Sequence, residues 1–450
     1  MIRSGKKDEW LRLVEAGMER LDHDFSRLPE FAATPGPSTA ALEAVIGEVA
    51  GRLADNYPYF HPLYAGQMLK PPHPVAQAAY ALAMTINPNN HARDGGRASS
   101  EMEIEAVAGI AGMLGWRQGD GRSFLGHLTS GGTFANLEAL WVAGQVQPGK
   151  RIVASEQAHY THKRITGVLR VAFDAVASDN RGRIDLNALE DELRRGDVGT
   201  VVATLGTTAL GAVDPLHEIL TLRERYGFRL HVDAAYGGYF RLIAPELDAE
   251  AARAYAAMEQ TDSIVIDPHK HGLQPYGCGC VLFRDPEVGR LYKHESPYTY
   301  FTSGELHLGE ISLECSRAGA AAVALWATQR LLPLVPLGEP GDEFARGLAA
   351  GRRAAIELDR RLREDARFKP LPSGPELDIV VWRICDDATG AQRVFDAAAG
   401  RDLHLALVHL PKRYFEETEA GMTSCLRSVL MKPEHQEWLP EIWRRLSGTD

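Results

Sequence analysis

The stretch SIVIDPHKHG, residues 263–272, places a lysine directly beyond a short apolar run. The letters SIVI are rich in β-branched residues and predict a buried strand that ends at Asp267 and Pro268. Lysines are usually solvated surface residues, but Lys270 is expected at the carboxyl end of a strand, where parallel α/β sheets bind ligands. A lysine desolvated in such a crevice loses its proton more easily and can form a Schiff base with a carbonyl compound.

A second stretch, HVDAAYGG at residues 231–238, also ends an apolar strand with a polar group, here Asp233. A single carboxylate at this place is usually a helix cap or one half of a structural salt bridge. It can also pair with a ring cation such as a pyridinium nitrogen. The sequence of this segment alone leaves both interpretations open.

Two further segments lie where helices are expected to begin. In HLTSGGTFANLEAL (127–140), backbone N–H groups at a helix N-terminus suit an anion, and Ser130 and Thr133 add hydroxyl donors. The segment lacks the ending of a Walker A sequence, and an ordinary N-cap is the alternative. In SEQAHYTHKR (155–164), His159 follows a strand and is either a residue that stacks on a planar ring or a satisfied histidine of a helical turn.

Alternating apolar runs and helical patterns between about residues 100 and 285 predict an α/β fold with a mostly parallel central sheet between helices. We expect an N-terminal helical arm over 1–55, a large ligand-binding domain over 56–330 and a small α+β domain over 331–450. The proline-rich segment 331–342 is the predicted boundary. The predicted elements are strands at 151–157, 198–208, 228–235, 263–270, 377–384, 403–410 and 424–431, and helices at 99–116 (with a serine cap), 214–227, 343–365 and 390–399.

Composition limits the classes of function. The 450 residues include 60 acidic and 49 basic side chains, a formal charge of −11, which disfavours binding to nucleic-acid phosphates. The five cysteines are few and odd in number, as expected of free thiols in a reducing compartment. The N-terminal MIRSGKKDEW has no apolar core of a secretory signal, and the apolar stretch 318–327 is too short to cross a bilayer. We therefore expect a cytoplasmic protein without nucleic-acid or membrane partners.

Taken together, an anion cradle, a stacking histidine, a carboxylate for a ring nitrogen and a Schiff-base lysine describe a site for pyridoxal 5′-phosphate (PLP). The chain resembles the group II PLP-dependent amino-acid decarboxylases, which have the aspartate-aminotransferase fold (fold type I). The resemblance rests on TSGGTFAN, the AHY segment, ATLGTTALGAVDP (203–215), HVDAAYGG and DPHK. It implies a PLP-dependent carboxy-lyase of fold type I that removes CO2 from an L-amino acid.

The resemblance also implies a role for each matching residue. Lys270 matches the Schiff-base lysine, Asp233 the partner of the pyridine nitrogen, and His159 the residue stacked on the ring. Thr208 matches a residue beside the 3-hydroxyl group, with Thr207 as the alternative. The other residues expected to bind the cofactor are those of the phosphate loop, the ring face opposite His159, and the segment before the lysine, namely Ser130, Gly131, Gly132, Thr133, Ala235, Asp267 and His269.

Proton donation in this family often comes from a tyrosine on a mobile loop that reaches the neighbouring subunit's site. The matching stretch here is residues 294–310, in which Tyr300 is preferred to Tyr298 as the acid. An intertwined homodimer with shared active sites is therefore implied. Phe301 points to a rival reaction, because relatives with Phe at the acid's position carry out oxidative decarboxylation to an aldehyde.

The substrate is expected to be an aromatic amino acid, because the loop NYPYFHPLYAG at 56–66 is rich in aromatic residues. Acidic amino acids and diaminobutyrate are the alternatives. His61, Tyr64 and Arg427 are substrate-binding candidates, although Arg427 has a structural alternative. One departure from the family is His271, which replaces the bulky aromatic residue that often follows the lysine.

Two other classes of protein are compatible with the same residues. A PLP-dependent carbon–carbon lyase would share every cofactor residue, and a non-catalytic binding protein with the PLP fold would keep the sheet. The pair His159 and His162 has a spacing that can bind metal, but no cluster of acids or cysteines joins it, so no metal site is expected.

Overall fold

The computed structural model describes residues 7–32, 34–116, 124–293, 311–385, 389–416 and 420–448. The larger sheet has the strand order β1-β7-β6-β5-β4-β2-β3, in which β7 is antiparallel to both of its neighbours and the other pairs are parallel. Its strands are β1 (Leu125–Thr129), β2 (Arg151–Ser155), β3 (Phe173–Val176), β4 (Val198–Thr204), β5 (Arg229–Asp233), β6 (Ser263–Ile266) and β7 (Gly279–Phe283).

The α-helices surround this sheet and a second, smaller one. They are α1 (Lys7–Phe25), α2 (Thr39–Leu53), α3 (Pro74–Ile86), α4 (Arg97–Met113), α5 (Gly132–Val146), α6 (Thr161–Leu169), α7 (Leu186–Leu193), α8 (Leu216–Tyr226), α9 (Ala249–Ala256), α10 (Gly319–Leu331), α11 (Glu343–Glu364), α12 (Gly390–Ala399) and α13 (His435–Ser447). Among the described residues, no helix has both the length and the apolar character needed to span a membrane.

Both faces of the central sheet are buried, and alternate residues of a strand point to opposite faces. Ile264 and Ile266 of β6 join the core that contains Ile110 of α4, whereas Val265 between them joins the core that contains Ala139 of α5. This arrangement explains why the strands read as continuous apolar runs, and it confirms the predicted mostly parallel sheet between helices.

The predicted strands of this sheet are present but shorter than expected. β4, β5 and β6 end at Thr204, Asp233 and Ile266, and the residues beyond these points form loops at the carboxyl edge. Sequence patterns indicated a strand at Cys278 and Cys280, where β7 lies, but did not indicate β1 or β3. The predicted serine cap of α4 is wrong: the helix begins at Arg97, and buried Ser99 instead donates a hydrogen bond to Asn90 Oδ1.

The smaller sheet is antiparallel, with the order β10-β11-β9-β8, and contains β8 (Phe368–Pro370), β9 (Ile379–Ile384), β10 (Ala406–Pro411) and β11 (Met422–Val429). Segment 63–65 joins it: the Ala65 N–H donates to His404 O, and the Val429 N–H donates to Ala65 O at 2.7 Å. The loop that precedes α3 is therefore attached to the second sheet. We propose the domain boundary at 331–342, which lies between α10 and α11.

Candidate active site

A cavity of about 300 Å³ lies at the carboxyl ends of β4, β5 and β6, against the start of α5. We call it the catalytic cavity. All residues expected to bind the cofactor line it, and they are accompanied by residues that the sequence analysis did not single out. Its lining is Ser130, Gly131, Gly132, Thr133, Phe134, Asn136, His159, Thr161, Thr204, Gly206, Thr208, Asp233, Ala235, Tyr236, Asp267, His269 and Lys270.

Asp233 is the last residue of β5 and is buried. Its Oδ1 accepts a hydrogen bond from the Ala235 N–H at 3.1 Å, and its Oδ2 accepts one from His162 Nε2 at 2.9 Å. Burial alone would raise the pKa of this carboxyl group, but the hydrogen bond and charge of His162, together with the charge of Lys270, hold the pKa well below its usual range. Asp233 is therefore a buried carboxylate that stays ionised at neutral pH.

Lys270 lies on the loop that follows the neighbouring strand β6. Its Nζ is 3.1 Å from Asp267 Oδ2, and its backbone N–H donates to the Asp267 carbonyl, which closes the DPHK turn. The other carboxylate oxygen of Asp267 is buried and has no hydrogen-bond partner among the described residues. The turn therefore presents an ammonium group to the cavity over a buried carboxylate.

The start of α5 forms a cradle whose backbone is closely packed. Gly131 has φ +150°, a conformation that other residues rarely adopt, and a Cβ on Gly132 would lie 2.6 Å from Asp267 Oδ2. The Ser130 N–H donates to the Glu314 carboxylate at 2.9 Å, so this amide already binds an anionic oxygen. Small residues at these positions leave the helix N-terminus accessible to a phosphate group.

Two histidines border the cradle. His159 Nδ1 accepts the Thr161 N–H at 3.3 Å, as in a helical turn, while the side chain also lines the cavity. His269 packs on Tyr276 with the ring centroids 4.8 Å apart. Burial lowers the pKa of both His159 and His269, which favours neutral rings at neutral pH.

Thr207 and Thr208, the alternatives for the residue beside the cofactor, have different environments in the structure. Thr208 lines the cavity, whereas Thr207 is fully buried and its Oγ1 accepts the Ala212 N–H at 3.1 Å. Arg427 lies behind Thr208: its guanidinium donates to Thr208 O at 2.9 Å, to Gly66 O at 3.3 Å and to Gln67 Oε1 at 2.7 Å.

The other substrate candidates do not line the catalytic cavity. His61 packs edge-on against Trp438 with ring centroids 4.8 Å apart, and its Nδ1 accepts the Leu63 N–H. Tyr64 is buried, packs edge-on against Tyr59 at 4.8 Å, and lies under Lys432. Tyr298, Tyr300 and Phe301 lie outside the described residues.

His162 is a site residue that the sequence analysis considered only as a metal ligand. It lies three residues after His159, in the first turn of α6, whereas His159 precedes the helix. The spacing of the two histidines could have drawn attention to His162. Its role, however, depends on contact with Asp233, which is 71 residues away in the sequence. Asn136, which lines the cavity, also lacked a signal; its Oδ1 contacts His231 Nε2 at 2.9 Å.

The cavity fits PLP on the chemistry of its residues. A helix N-terminus is available for the phosphate, a buried ionised carboxylate for a pyridine N–H, and the amino group of Lys270, once deprotonated, for the aldehyde. These groups come from separate segments that converge only in the fold. They define a PLP-binding protein of the α/β type.

Comparison with known proteins identifies the family. The sequence model described as pyridoxal-dependent decarboxylase conserved domain matches residues 41–384. The L-tyrosine decarboxylase of Enterococcus faecium is 29% identical, with 78% of this chain and 71% of that protein aligned. The probable L-tyrosine/L-aspartate decarboxylase of Methanothermobacter thermautotrophicus is 30% identical, with coverage of 70% and 82%.

Solved structures share the fold at low identity. Oryza sativa TDC with PLP and tryptamine superposes with a TM-score of 0.78 at 18% identity over 98% of each chain. Rhodiola rosea 4-hydroxyphenylacetaldehyde synthase superposes with a TM-score of 0.76 at 17% identity, covering 99% of this chain and 98% of that one. The chain belongs to the pyridoxal-dependent decarboxylase family. The resemblance, the PLP cofactor and amino-acid decarboxylation are thereby confirmed.

Gly132→Ala is expected to weaken PLP binding at least about tenfold, equivalent to roughly 1.4 kcal/mol. The added Cβ would clash with the Asp267 carboxylate and displace it from Lys270. Titration of the apoenzyme with PLP, followed by absorbance, measures the dissociation constant. Gly167→Ala on α6 is the control, since its Cβ meets no atom within 4 Å; equal PLP affinity in both variants would show that the cradle does not need glycine at 132.

Proposed function

We propose that this carboxy-lyase decarboxylates an aromatic L-amino acid, L-tyrosine first, and that Lys270 and Asp233 are its central catalytic residues. The observation that supports the residue assignment is the convergence of all the cofactor candidates on one cavity. Bound PLP supplies a ring that withdraws the electrons left on the substrate's α-carbon when CO2 departs. The protein supplies attachment, orientation and proton control.

Lys270 and Asp267 act together in this proposal. Lys270 would hold the cofactor covalently through its amino group. The Asp267 carboxylate, 3.1 Å from Nζ, holds the lysine close to the reacting centre. Lys270 remains in the cavity to recover the cofactor after the product leaves.

Asp233 keeps a positive charge on the ring nitrogen, because its own proton affinity is held low. His162 is a positioning residue in this arrangement: its Nε2–H occupies Oδ2 and fixes the direction of the carboxylate. We place His159 on one face of the ring and Ala235 on the other. Thr208, which lines the cavity, would hold the 3-hydroxyl side of the ring.

An aromatic substrate is favoured by the charges of the cavity. Lys270 is the only lysine or arginine in its described lining. We reserve Arg427, which lies behind Thr208, for the substrate's own carboxylate, so the described lining leaves no cation for an acidic side chain. The loop that carries Tyr57, Tyr59 and Tyr64 forms a cluster of edge-packed rings, and Arg427 links this loop to Thr208. The relatives named as tyrosine decarboxylases support the same substrate.

The substrate's own carboxylate is assigned to Arg427. Its Nε is buried without a hydrogen-bond partner among the described residues, while its guanidinium also donates to the carbonyl of Thr208, which lines the catalytic cavity. Tyr300 remains the proposed acid that protonates the α-carbon, with Tyr298 as the alternative. Aldehyde formation, which Phe301 suggests, is the rival outcome.

A homodimer is proposed from the surface of α2. None of its residues is buried, and Leu42, Val45, Ile46, Val49 and Leu53 form one exposed apolar face. An exposed apolar face of this kind marks an interaction surface, and the same face of a second copy of the chain would bury it in a symmetric interface. All five cysteines are free thiols, which supports the proposed location in the reducing cytoplasm.

The enzyme supplied with PLP in air is expected to release CO2 fastest from L-tyrosine and to yield an equal amount of tyramine. Each L-amino acid is tested separately, with the organic product identified by mass. Aldehyde in place of amine would assign the oxidative reaction, and a preference for L-aspartate would overturn the aromatic substrate. Lys270→Ala is the matched control and is expected to lose both turnover and borohydride trapping of PLP; trapping that persists would refute the lysine assignment.

His162→Phe is expected to lower kcat by about tenfold or more, equivalent to roughly 1.4 kcal/mol, with a smaller effect on KM. Without its partner, buried Asp233 has a higher pKa and holds less negative charge beside the ring. Because the wild-type pKa is depressed, ionised Asp233 stabilises the fold above pH of about 4, and this stabilisation is lost as the pH falls. At neutral pH, the variant should lose part of this stabilisation. The absorbance of its bound PLP should also change with pH differently from that of the wild type.

His127→Phe is the control for that variant. It removes an equally buried histidine from a carboxylate, because His127 Nε2 lies 2.9 Å from Glu138 Oε2. It should reduce thermal stability but leave the absorbance titration unchanged. His162→Gln retains an N–H donor and should recover part of kcat. If both histidine-to-phenylalanine variants shift the titration equally, His162 has only a structural role.

Replacing Ile46 and Val49 together by Glu is expected to convert the dimer to monomer, since two charges would be buried in the interface. Sedimentation equilibrium measures the mass. Ala44→Glu, on the opposite side of α2, should leave the dimer intact. A wild-type protein that sediments as a monomer at micromolar concentration would exclude the homodimer.

A further inference from the structure

A second cavity, of about 320 Å³, lies beside His271, the residue that follows Lys270. We call it the lysine cavity. Its wall contains two lysines, Lys70 and Lys432, together with apolar side chains such as Phe344 and Leu348. The lysine cavity shares no described lining residue with the catalytic cavity. PLP and substrate bound in the catalytic cavity would therefore leave the lysine cavity accessible.

His271 is the residue that departs from the family pattern, and its environment is unusual. The side chain is 1% exposed, yet neither ring nitrogen has a hydrogen-bond partner among the described residues. The nearest acid is Asp378, whose Oδ2 is 3.4 Å from Nε2 and whose Oδ1 accepts the Tyr236 O–H. Burial lowers the pKa of His271 well below its usual value, so the neutral ring has an N–H that lacks an acceptor.

The two lysines also have unused donors. Lys432 is 3% exposed, and its Nζ donates to Tyr64 O at 2.6 Å; Lys70 Nζ donates to Met431 O at 3.3 Å. In the described part of the chain, these carbonyls are the acceptors found for them, and no carboxylate lies within 4 Å of either ammonium group. Burial lowers the pKa of Lys70 to about 8 and, with repulsion from Lys70, that of Lys432 to about 7.

Acidic groups surround the cavity, but in the described structure none of them contacts the ammonium group of Lys70 or Lys432. Glu343 and Glu434 line its rim and are exposed, and Asp378 lies behind His271. Glu434 and Asp378 oppose the lowering of the lysine pKa values only at a distance. The wall therefore presents N–H donors from three side chains: each lysine uses one carbonyl acceptor, and His271 makes no hydrogen bond among the described residues.

We propose that the lysine cavity is a binding site for a small oxyanion, whose oxygen atoms accept hydrogen bonds from Lys432, Lys70 and His271. Phosphate, sulfate and a carboxylate group share the required chemistry: negative charge and several acceptor oxygens. The site is separate from the reaction, so it is independent of which amino acid the enzyme decarboxylates.

Isothermal titration of the PLP-loaded holoenzyme with inorganic phosphate, sulfate and acetate, each at constant ionic strength, tests the proposal. In the holoenzyme, the phosphate cradle of the catalytic cavity is already filled by the cofactor. We expect binding of at least one probe, and the strongest identifies the ligand class. Lys70→Met and Lys432→Met should each weaken that binding at least about tenfold.

Two further variants control for nonspecific loss of a lysine and for failure of the lysine variants to fold. Lys150→Met is the matched control, because Lys150 Nζ also donates to one backbone carbonyl, that of Gly196, but lies outside the cavity; it should bind the probe normally. His271→Phe removes no hydrogen bond of the described structure and should fold even if Lys432→Met does not. Weaker binding by this variant would support the site.

Crystals grown with selenate place the anion by anomalous scattering. A selenate peak between Lys70, Lys432 and His271 is expected. The proposal is overturned if no probe binds the holoenzyme at millimolar concentration, if the cavity variants bind as the wild type does, or if the peak lies elsewhere.

Discussion

The buried negative charge of Asp233 is the constraint on which the rest of the site depends. A carboxylate at the end of an interior strand is costly unless donors surround it. Here two donors bind it, the Ala235 amide and the His162 ring on α6, and the charge of Lys270 adds a further stabilising interaction. Segments far apart in the chain must therefore approach one another, and that convergence forms the cavity.

The strand order makes this convergence possible. β4, β5 and β6 are adjacent and parallel, so their carboxyl ends open on one edge of the sheet. Thr204, Asp233 and the DPHK turn thus face the same space, and the N-terminus of α5 adds the cradle. The antiparallel strand β7 contributes differently, since Gly279 allows the backbone of Gly131 to approach closely.

Sequence patterns predicted much of the lining of the catalytic cavity because these residues follow recognisable local signals. Lys270, Asp233 and the glycines of the cradle each follow an apolar strand or precede a helix, and such positions can be read from a single segment. His162 and Arg427 differ, because each contacts a partner that is distant in sequence. His61 was selected from an aromatic loop, and the fold directs it to Trp438 instead of the cavity.

The sequence by itself determined the fold class, because hydrophobic alternation is a local property. It indicated the cofactor through the polar residues at the strand ends, and the family through the resemblance of those motifs to group II decarboxylases. It also showed that His271 departs from the family pattern. Only the tertiary structure decided which donors stabilise Asp233, which of Thr207 and Thr208 reaches the cavity, and that His271 shares a second cavity with Lys70 and Lys432. These outcomes depend on packing between distant segments, which also buries lysine and histidine side chains and lowers their pKa values.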